Sequence, residues 1–374
     1  MSDFVVVGGG IAGISAAAHL APNGSVTLFE MEASLAYHTS GRSAAMLVEN
    51  YGSEGSRPLV KAARPFLESP PDGSVDSPLL SDRAVMWVAG HGDFAVLEKR
   101  AAAALESGAR CELVTPAQVV GHLPVMRSDW LEGGLYEPSG ADIDVAGLHQ
   151  AYVRIARRHH AEILTSAPVT SITRRDGKWV VRSEETEVTT SVVVNASGAW
   201  ADRVAVLADV APIGMQPMRR TAFMVPGNEE SSTWPMIVEA NETFYFRPDG
   251  VQFLCSLAEE VPSEPMDARP RMEDVALAIQ RINEATTLDI RTVSSQWAGL
   301  RTFSPDRDLV IGEDPTAPGF FWLGGQGGIG IQTSPAYGKL LSCLVTGEDL
   351  PTHFTEMGVD PSKTSPARFR RGSA

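Results

Sequence analysis

The first thirty residues carry the pattern that most limits how this chain can fold. An apolar run, Phe4–Val7, leads into the glycine-rich sequence GGGIAG at residues 8–13, and the alanine-rich stretch Ile11–Leu20 is followed by a second apolar run, Val26–Phe29. Short continuous apolar runs are typical of buried parallel strands, and the stretch between them suits a helix. The sequence therefore predicts a βαβ unit over residues 4–29.

The glycine-rich sequence fits the pattern G-x-G-x-x-G, with Gly8, Gly10 and Gly13 at its glycine positions. Glycines allow a backbone to approach a pyrophosphate closely, and the N-terminus of the following helix offers free N–H groups and a positive dipole end. Glu30 stands 22 residues after Gly8, at the end of the second strand, where a carboxylate accepts hydrogen bonds from an adenosine ribose. An acid there disfavours a 2′-phosphate, so the motif predicts FAD or NAD rather than NADP.

Length and charge limit the class of protein further. The chain has 374 residues, of which 43% are hydrophobic and 21% charged, as in a water-soluble globular protein of one large or two closely joined domains. Its net charge is −15, and its few basic clusters are short. A nucleic acid would be repelled by such a surface, so we expect no nucleic-acid partner.

The cysteines and the apolar N-terminal stretch bear on location. Cys111, Cys255 and Cys343 are widely spaced, which favours reduced buried thiols over disulfides or a metal site. No lysine or arginine precedes Arg42, and glycines interrupt the apolar stretch, so it resembles neither a signal peptide nor a membrane span. We expect a cytoplasmic protein with no transmembrane segment and no metal.

Later apolar runs indicate how the chain is divided. Val192–Val194 and Phe320–Leu323 each lead into a glycine turn, as central strands of the first sheet would, while alternating runs between residues 212 and 258 are typical of an antiparallel sheet. The predicted fold class is α/β (α+β overall), a Rossmann-like dinucleotide-binding domain with an inserted domain built on an antiparallel sheet. The predicted boundaries are 1–50, 138–211 and 296–350 for the first domain, 51–137 and 212–295 for the second, and 351–374 for a C-terminal tail.

Six motifs in order carry a family resemblance that covers almost the whole chain. They are Tyr37–Ala45, Pro138–Asp144, Val194–Trp200, Gln216–Arg220, Trp297–Phe303 and Gln326–Thr333. They resemble the D-amino-acid oxidase-like FAD oxidoreductases, and among these they look most like the D-arginine dehydrogenases. The resemblance implies FAD rather than NAD. Since no cysteine or histidine lies in the motifs near the flavin, apart from His38 in the nucleotide-binding run, we expect FAD to be bound non-covalently.

The resemblance also implies which residues contact FAD. Ser43–Ala45 and Gly327–Thr333 fall at the flavin end, and Ala196–Gly198 on the adenosine and pyrophosphate side. The complete expected set is Gly8, Gly10, Ile11, Ala12, Gly13, Glu30, Ser40, Arg42, Ser43, Ala44, Ala45, Val169, Ala196, Gly198, Trp200, Gly327, Gly328, Gly330, Ile331, Gln332 and Thr333.

Five further positions match the family's substrate site. Arg220 and Arg301 fall where the family places arginines on the substrate α-carboxylate, a role that suits a planar and permanently charged side chain. Tyr51 and Tyr245 fall at its two carboxylate-side tyrosines, and the carbonyl of Gly328 at its acceptor for the α-amino group. Without the resemblance, each arginine would be interpreted as a surface or salt-bridged residue and each tyrosine as core.

The sequence departs from the D-arginine dehydrogenases in the pocket for the substrate side chain. Val85 replaces a glutamate that pairs with the cationic side chain, Met46 replaces a histidine, and Val48 replaces a threonine. Met236 and Val238 occupy matching pocket positions. The resemblance therefore implies an apolar pocket that accepts basic D-amino acids poorly.

The resemblance implies oxidative deamination of a D-amino acid with a neutral or apolar side chain, by hydride transfer to flavin N5, giving a 2-keto acid and ammonia. Two alternatives stay open: an FAD oxidase or dehydrogenase acting on glycine, an N-alkyl amino acid or a 2-hydroxy acid, and a non-catalytic dinucleotide-binding subunit. The expected partners are an amino-acid substrate and an electron acceptor, which could be oxygen, a quinone or a carrier. The sequence leaves the oligomeric state open.

Overall fold

The computed structural model describes residues 1–370, and its central layer is a six-stranded sheet. Neighbouring strands are parallel except the first pair, which is antiparallel. From edge to edge the strands are Val310–Glu313, Phe320–Gly324, Val192–Asn195, Phe4–Val7, Val26–Phe29 and Glu162–Leu164. The predicted βαβ unit is confirmed with its predicted bounds, including the helix Ile11–Leu20.

Both faces of this sheet are covered, because its strands are apolar on both sides. On one face the helices Ile11–Leu20, Val145–Arg158 and Gly330–Thr346 pack around buried side chains such as Val6 and Leu28. On the other face, Val5 and Trp322 pack against a short helix and a three-stranded antiparallel sheet. Those elements are Ala201–Leu207 and the strands Ser171–Arg175, Lys178–Arg182 and Glu187–Thr190.

A nine-stranded sheet forms the second large element. Its neighbouring strands are antiparallel apart from Met236–Glu239 and Val85–Gly90, which run parallel. In order the strands are Val261–Pro262, Gln216–Pro226, Gln252–Ser256, Tyr245–Asp249, Met236–Glu239, Val85–Gly90, Leu131–Glu137 and Glu112–Val114, with Ser295–Phe303 paired to Gln216–Pro226. The antiparallel sheet predicted from residues 212–258 is therefore present.

The two large sheets are joined by small elements. A three-stranded sheet orders Met46–Leu47, Ala141–Ile143 and Leu80–Asp82. The remaining helices are Arg57–Glu68, Phe94–Glu106, Pro116–His122, Met272–Ala285, Thr352–Glu356 and Pro361–Thr364, with 3₁₀ turns at Ala21–Asn23, Thr39–Arg42, Gly198–Trp200, Glu229–Thr233 and Pro366–Phe369. Residues 296–303, which the sequence assigns to the first domain, pair within the nine-stranded sheet. The domain boundaries stay a prediction.

The C-terminal segment packs on the first sheet. Phe354 and Val359 are buried in its core, and Arg370 binds the buried carboxylate of Asp314 at 2.8 Å. Residues 371–374 of the predicted tail lie outside the described residues. Within residues 1–370, no helix combines the length and the apolar character needed to span a bilayer, and no group of three or more His, Cys, Asp or Glu side chains is placed to hold a metal ion.

Candidate active site

The glycine turn after the first strand requires glycine for steric reasons. Gly8 has φ +109°, and a Cβ atom there would lie 2.6 Å from the carbonyl oxygen of Ala196. A Cβ atom at Gly13 would lie 1.8 Å from the carbonyl oxygen of Gly8. The turn therefore packs against the neighbouring strand end and against its own helix, and it leaves the helix N-terminus, with Gly10 as its N-cap, facing open space.

Glu30 has a second role that the sequence pattern did not reveal. Its Oε2 accepts a hydrogen bond from the Gly9 backbone N–H at 2.6 Å, and its Oε1 accepts one from the Glu32 N–H at 2.8 Å. The buried ring of His149 holds the same turn from the other side, with Nε2 at 3.1 Å from the Gly9 carbonyl oxygen. Glu30 thus supports the glycine turn as well as facing the space beside it.

A cavity of about 320 Å³ begins at this turn. Most of the residues expected to contact FAD line it, although they come from distant parts of the sequence. They are Gly8, Gly10, Ile11, Ala12, Glu30, Ser40, Arg42, Ser43, Ala44, Ala45, Val169, Ala196, Gly198, Trp200, Gly327, Gly328, Gly330 and Ile331. The parallel sheet brings these turns together because the carboxyl ends of its strands share one edge.

Three expected cofactor residues lie behind the cavity lining instead. Gly13 packs against the carbonyl oxygen of Gly8, as described above. The Thr333 hydroxyl donates to the Ile329 carbonyl at 2.7 Å, and Gln332 Oε1 accepts from the Val48 N–H at 2.9 Å. These residues shape the loop and the helix that follows it, so their direct contact with a cofactor stays a prediction.

Arg42 lines the cavity, but its guanidinium is already engaged. Nη1 donates to the carbonyl oxygens of Ala268 at 3.0 Å and Ala298 at 2.8 Å, and Nη2 pairs with Asp267. Arg42 therefore ties the segment around residue 268 to the strand Ser295–Phe303.

The two arginines predicted to bind a carboxylate meet at the other end of the cavity. Arg220 pairs with Gly299 and Met218 pairs with Arg301 in adjacent antiparallel strands, so the two arginines are diagonal neighbours on one face. Both line the cavity together with Tyr245. A Cβ atom at Gly328 would lie 2.8 Å from Arg301 Nη1, which places the backbone of Gly328 against that guanidinium.

Burial sets the electrostatics of this end of the cavity. It lowers the pKa of Arg220, and the nearby charge of Arg301 lowers it further. Burial alone would lower the pKa of Arg301 as well. The surrounding tyrosines and carboxylates have a larger combined effect, so the pKa of Arg301 is raised. Burial also raises the pKa of Tyr51, although the charge of Arg301 opposes this. Two confined cations beside neutral hydroxyls form a site suited to an anion.

A family profile described as "FAD dependent oxidoreductase" matches residues 3–344 of this chain. The chain belongs to that family. The broader part of the resemblance, an FAD-dependent oxidoreductase, is thereby confirmed. The residues present fit FAD, because Gly8 and Gly13 leave no room for a Cβ atom at the turn and the cavity extends from this turn to the two arginines. The residues that would hold FAD there are the Gly8–Ala12 turn, Glu30 and the Gly327–Ile331 loop, and these contacts stay a prediction.

Relatives in the family have varied names. Mitochondrial sarcosine dehydrogenase of Mus musculus is 25% identical over 251 residues, which cover 63% of this chain and 27% of that protein. Glycerol-3-phosphate dehydrogenase 1 of Mycobacterium tuberculosis (strain ATCC 25618 / H37Rv) is 27% identical over 331 residues, covering 80% of this chain and 62% of that one. The chain thus matches less than two thirds of the length of either relative.

Two solved structures of the family share the fold. L-proline dehydrogenase from P. horikoshii has a TM-score of 0.87 at 18% identity, with 100% of this chain and 98% of that chain covered. Glycine oxidase from Geobacillus kaustophilus has a TM-score of 0.86 at 21% identity, with 100% and 99% covered. The predicted fold class is confirmed. Because these proteins carry other names, the similarity to D-arginine dehydrogenases stays a prediction.

The five residues predicted to form the pocket for the substrate side chain lie together, next to Tyr51 and Tyr245. Met46, Val85 and Val238 are buried in one apolar cluster with Trp87, and Val48 packs against it. Met236 also packs against this cluster, because it pairs with Val85 across the parallel strands. None of the five lines the cavity, nor does Tyr51, whereas Tyr245 belongs to both the cluster and the lining. The cluster is therefore a wall next to the arginine end.

The expectation of a wholly apolar pocket needs correction, because carboxylates border the wall. Glu242 accepts hydrogen bonds from the Tyr51 hydroxyl at 3.3 Å and from Arg100 at 3.1 Å. The buried Glu137 accepts from Trp87 Nε1 at 2.7 Å. Both lie near the wall through strand pairing and turns, and no motif in the sequence marked these long-range contacts.

Arg220 also has partners that the sequence did not indicate. Its Nε donates to the backbone carbonyl of Glu259 at 2.7 Å, and its Nη2 lies 3.5 Å from Glu260 Oε1. Glu260 in turn accepts two hydrogen bonds from Arg307, at 3.0 and 2.8 Å. The segment after the strand Gln252–Ser256 thus aims Arg220 into the cavity.

Proposed function

We propose that this chain is an FAD-dependent oxidoreductase that oxidatively deaminates a D-amino acid with a neutral or apolar side chain, giving a 2-keto acid and ammonia. The observation that carries the proposal is the pair of partly buried arginines, Arg220 and Arg301, on one face at the end of the cavity. A guanidinium pair of this kind suits the carboxylate that every α-amino acid carries. It also argues against a non-catalytic dinucleotide-binding subunit, which needs no carboxylate site.

Each residue at this end has a distinct task in the proposed reaction. The arginines hold the α-carboxylate, and the backbone carbonyl of Gly328, which lies against Arg301, accepts from the α-amino group. Tyr51 and Tyr245 orient the substrate by hydrogen bonds. Tyr51 stays protonated near neutral pH because burial raises its pKa, so it does not act as a base; before substrate binds, its hydroxyl donates to Glu242. FAD, when bound, supplies the acceptor of a hydride from the substrate Cα at N5.

A second candidate is oxidation of glycine or an N-alkyl amino acid. Sarcosine dehydrogenase and glycine oxidase are among the proteins that this chain resembles, and their named substrates carry the same carboxylate. The arginine pair does not distinguish these substrates from D-amino acids. The apolar wall of Met46, Val85 and Val238, which lies next to the arginine end, supports a substrate with an apolar side chain.

Anaerobic reduction of the purified holoprotein tests the proposal. D- and L-amino acids, glycine, sarcosine and 2-hydroxy acids are added in turn, and the bleaching of the flavin absorbance is followed. We expect D-leucine, D-methionine and similar D-amino acids to reduce the flavin fastest. Fast reduction by glycine or sarcosine alone supports the second candidate, and no reduction by any compound supports a non-catalytic subunit.

Two further measurements address the cofactor and the acceptor. We propose that FAD is bound non-covalently, so acid precipitation of the holoprotein should leave the flavin in the supernatant. Reoxidation of the reduced protein by oxygen and by a soluble quinone, compared at equal concentration, separates an oxidase from a dehydrogenase.

A further inference from the structure

Arg100 lies against the apolar wall formed by Met46, Val85, Val238 and Trp87, because the helix that carries Arg100 packs on that wall. In the helix Phe94–Glu106, the buried positions Leu97, Ala101 and Ala104 define the face that meets the strand Val85–Gly90. Arg100 lies three residues after Leu97, on nearly the same face. Its guanidinium carbon is 3.5 Å from the centroid of the Trp87 ring, which is a close cation–π contact.

The partner of Arg100 is a carboxylate held in place by a tight turn. Glu242 has φ +56°, in the left-handed region, between the strands Met236–Glu239 and Tyr245–Asp249. The buried carboxylate of Glu239 accepts from the Asn241 and Thr243 N–H groups, each at 3.1 Å, and so fixes the turn. Glu242 is therefore positioned by the backbone, and its carboxylate remains available for side-chain partners.

Glu242 divides its two oxygens between the active site and Arg100. Oε2 accepts from the hydroxyl of Tyr51, and Oε1 accepts from Arg100. Tyr51 lies close enough to Arg301 and Glu242 that both charges act on its pKa. The Arg100–Glu242 pair borders the apolar wall, because Arg100 stacks on Trp87 and Glu242 bonds to Tyr51, and Tyr245 links that wall to the arginine end of the cavity.

We propose that Arg100 is a specificity-determining residue: its guanidinium occupies Glu242 in place of a cationic substrate side chain and thereby selects against D-lysine and D-arginine. This inference rests on the proposed function and names the class of substrate that the site rejects. A cationic side chain at the wall meets the like charge of Arg100, and the carboxylate that could balance it is already paired. A neutral apolar side chain meets no such penalty.

The test replaces Arg100 by methionine, which keeps an apolar stem over Trp87 and removes the charge. Arg100→Met should raise the ratio of kcat/KM for D-lysine to that for D-leucine at least ten-fold. Arg100→Lys is the matched control, because it keeps the positive charge and should leave this ratio within about two-fold of the wild-type value. If Arg100→Met does not fold, Arg100→Gln serves the same comparison.

A double variant links the effect to the proposed partner. In Arg100→Met combined with Glu242→Gln, the carboxylate that Arg100 released is gone while Glu137 is unchanged, so the gain for D-lysine should disappear. An unchanged ratio in Arg100→Met and Arg100→Gln, or a gain that persists in the double variant, overturns the inference.

A binding measurement separates this inference from the proposed reaction. Calorimetry on the holoprotein compares 6-aminohexanoate with hexanoate, which share a carboxylate and a chain but differ in the terminal cation. Arg100→Met should improve the binding of 6-aminohexanoate relative to hexanoate at least ten-fold. If no amino acid reduces the flavin, the proposed function fails, and the calorimetric ratio still decides whether Arg100 selects against a cation.

Discussion

Replacing Arg301 or Arg220 should lower kcat/KM, because both side chains lie at the end of the cavity and are shielded from solvent. Removing one charged partner from a buried carboxylate leaves the other groups unpaired. Arg301→Ala should therefore lower kcat/KM by roughly two to three orders of magnitude, equivalent to about 3–4 kcal/mol, with FAD content unchanged. Arg220→Ala should act in the same direction with a smaller effect. Arg291, which is exposed, supplies the control variant Arg291→Ala. Near-normal kcat/KM in both active-site variants would show that the carboxylate is bound elsewhere.

The pH dependence of the reaction tests the role of Tyr51. Since burial raises the pKa of this phenol, it stays protonated over the range in which an amino-acid substrate loses its ammonium proton. Tyr51→Phe should lower kcat/KM by less than about ten-fold, the effect of one neutral hydrogen bond, and should leave the midpoint of its pH profile unchanged. The profile is measured with D-leucine from pH 6 to 10. Loss of the fall in kcat/KM at low pH, or a shift of its midpoint, in the variant would identify Tyr51 as the base.

Val85 is the residue at which the apolar wall can be given a charge. Each methylene that a neutral substrate buries against this wall contributes about 0.8 kcal/mol, whereas a cationic side chain needs a counter-charge. Val85→Glu should shift the ratio of kcat/KM toward D-arginine over D-leucine, and it should also lower Tm, because Val85 is buried. Val85→Gln, equal in size and neutral, is the control. A ratio that stays the same for the two variants contradicts this interpretation of the pocket.

At the scale of elements, the glycine turn joins strand, helix and cofactor site in one contact. Gly13→Val introduces a side chain where even a Cβ atom would lie 1.8 Å from the Gly8 carbonyl oxygen, so the variant should purify without flavin. Gly121→Ala is a suitable control, since a Cβ atom there meets nothing within 4 Å. Absorbance of flavin relative to protein measures the effect. A normal flavin content in Gly13→Val would place the pyrophosphate elsewhere.

The elements that the sequence predicted well are those whose signals are local. Phe4–Val7 and Val26–Phe29 have their predicted bounds because continuous apolar runs end at polar or glycine residues that break the strand. The sequence assigns residues 296–303 to the first domain, and no local signal indicates that they pair with the distant strand Gln216–Pro226. The same reason applies to Glu242, which reaches Tyr51 across 191 residues of sequence. The resemblance supplied most of the candidate site.

At the scale of the whole molecule, the arginine end of the cavity depends on the two large sheets together. Arg220 and Arg301 come from the nine-stranded sheet, while the glycine turn and Glu30 come from the six-stranded sheet. Arg42, in the 3₁₀ turn that follows the strand Val26–Phe29 in sequence, donates to the carbonyl of Ala298 in the nine-stranded sheet and to that of Ala268, and so helps to connect the two sheets. The proposed substrate and cofactor sites thus come from two different sheets, an arrangement in which one can vary while the other is kept.

The C-terminal segment stabilises the folded protein through the ion pair between Arg370 and Asp314. This carboxylate is buried, accepts from Trp322 Nε1 at 3.0 Å and from the Thr316 hydroxyl at 2.7 Å, and pairs with Arg370. Burial opposes its charge, but these hydrogen bonds and Arg370 outweigh burial and lower its pKa. A carboxyl whose folded-state pKa is lowered contributes stability above its unfolded pKa, and this contribution is lost as pH falls through the folded pKa.

Asp314→Asn should therefore reduce the free energy of unfolding at pH 7 by about 3–5 kcal/mol, because Arg370 loses its buried partner. The difference from the wild type should shrink as the pH falls below about 4, where the Asp314 carboxyl of the unfolded chain takes up a proton while that of the folded protein, whose pKa is lowered, stays charged. Urea titrations between pH 3 and 8 measure both effects. Asp289→Asn breaks the exposed pair with Arg291 and should change stability by less than about 1 kcal/mol at every pH. Equal and pH-independent losses in the two variants would mean that the C-terminal segment is held by Phe354 and its apolar neighbours alone.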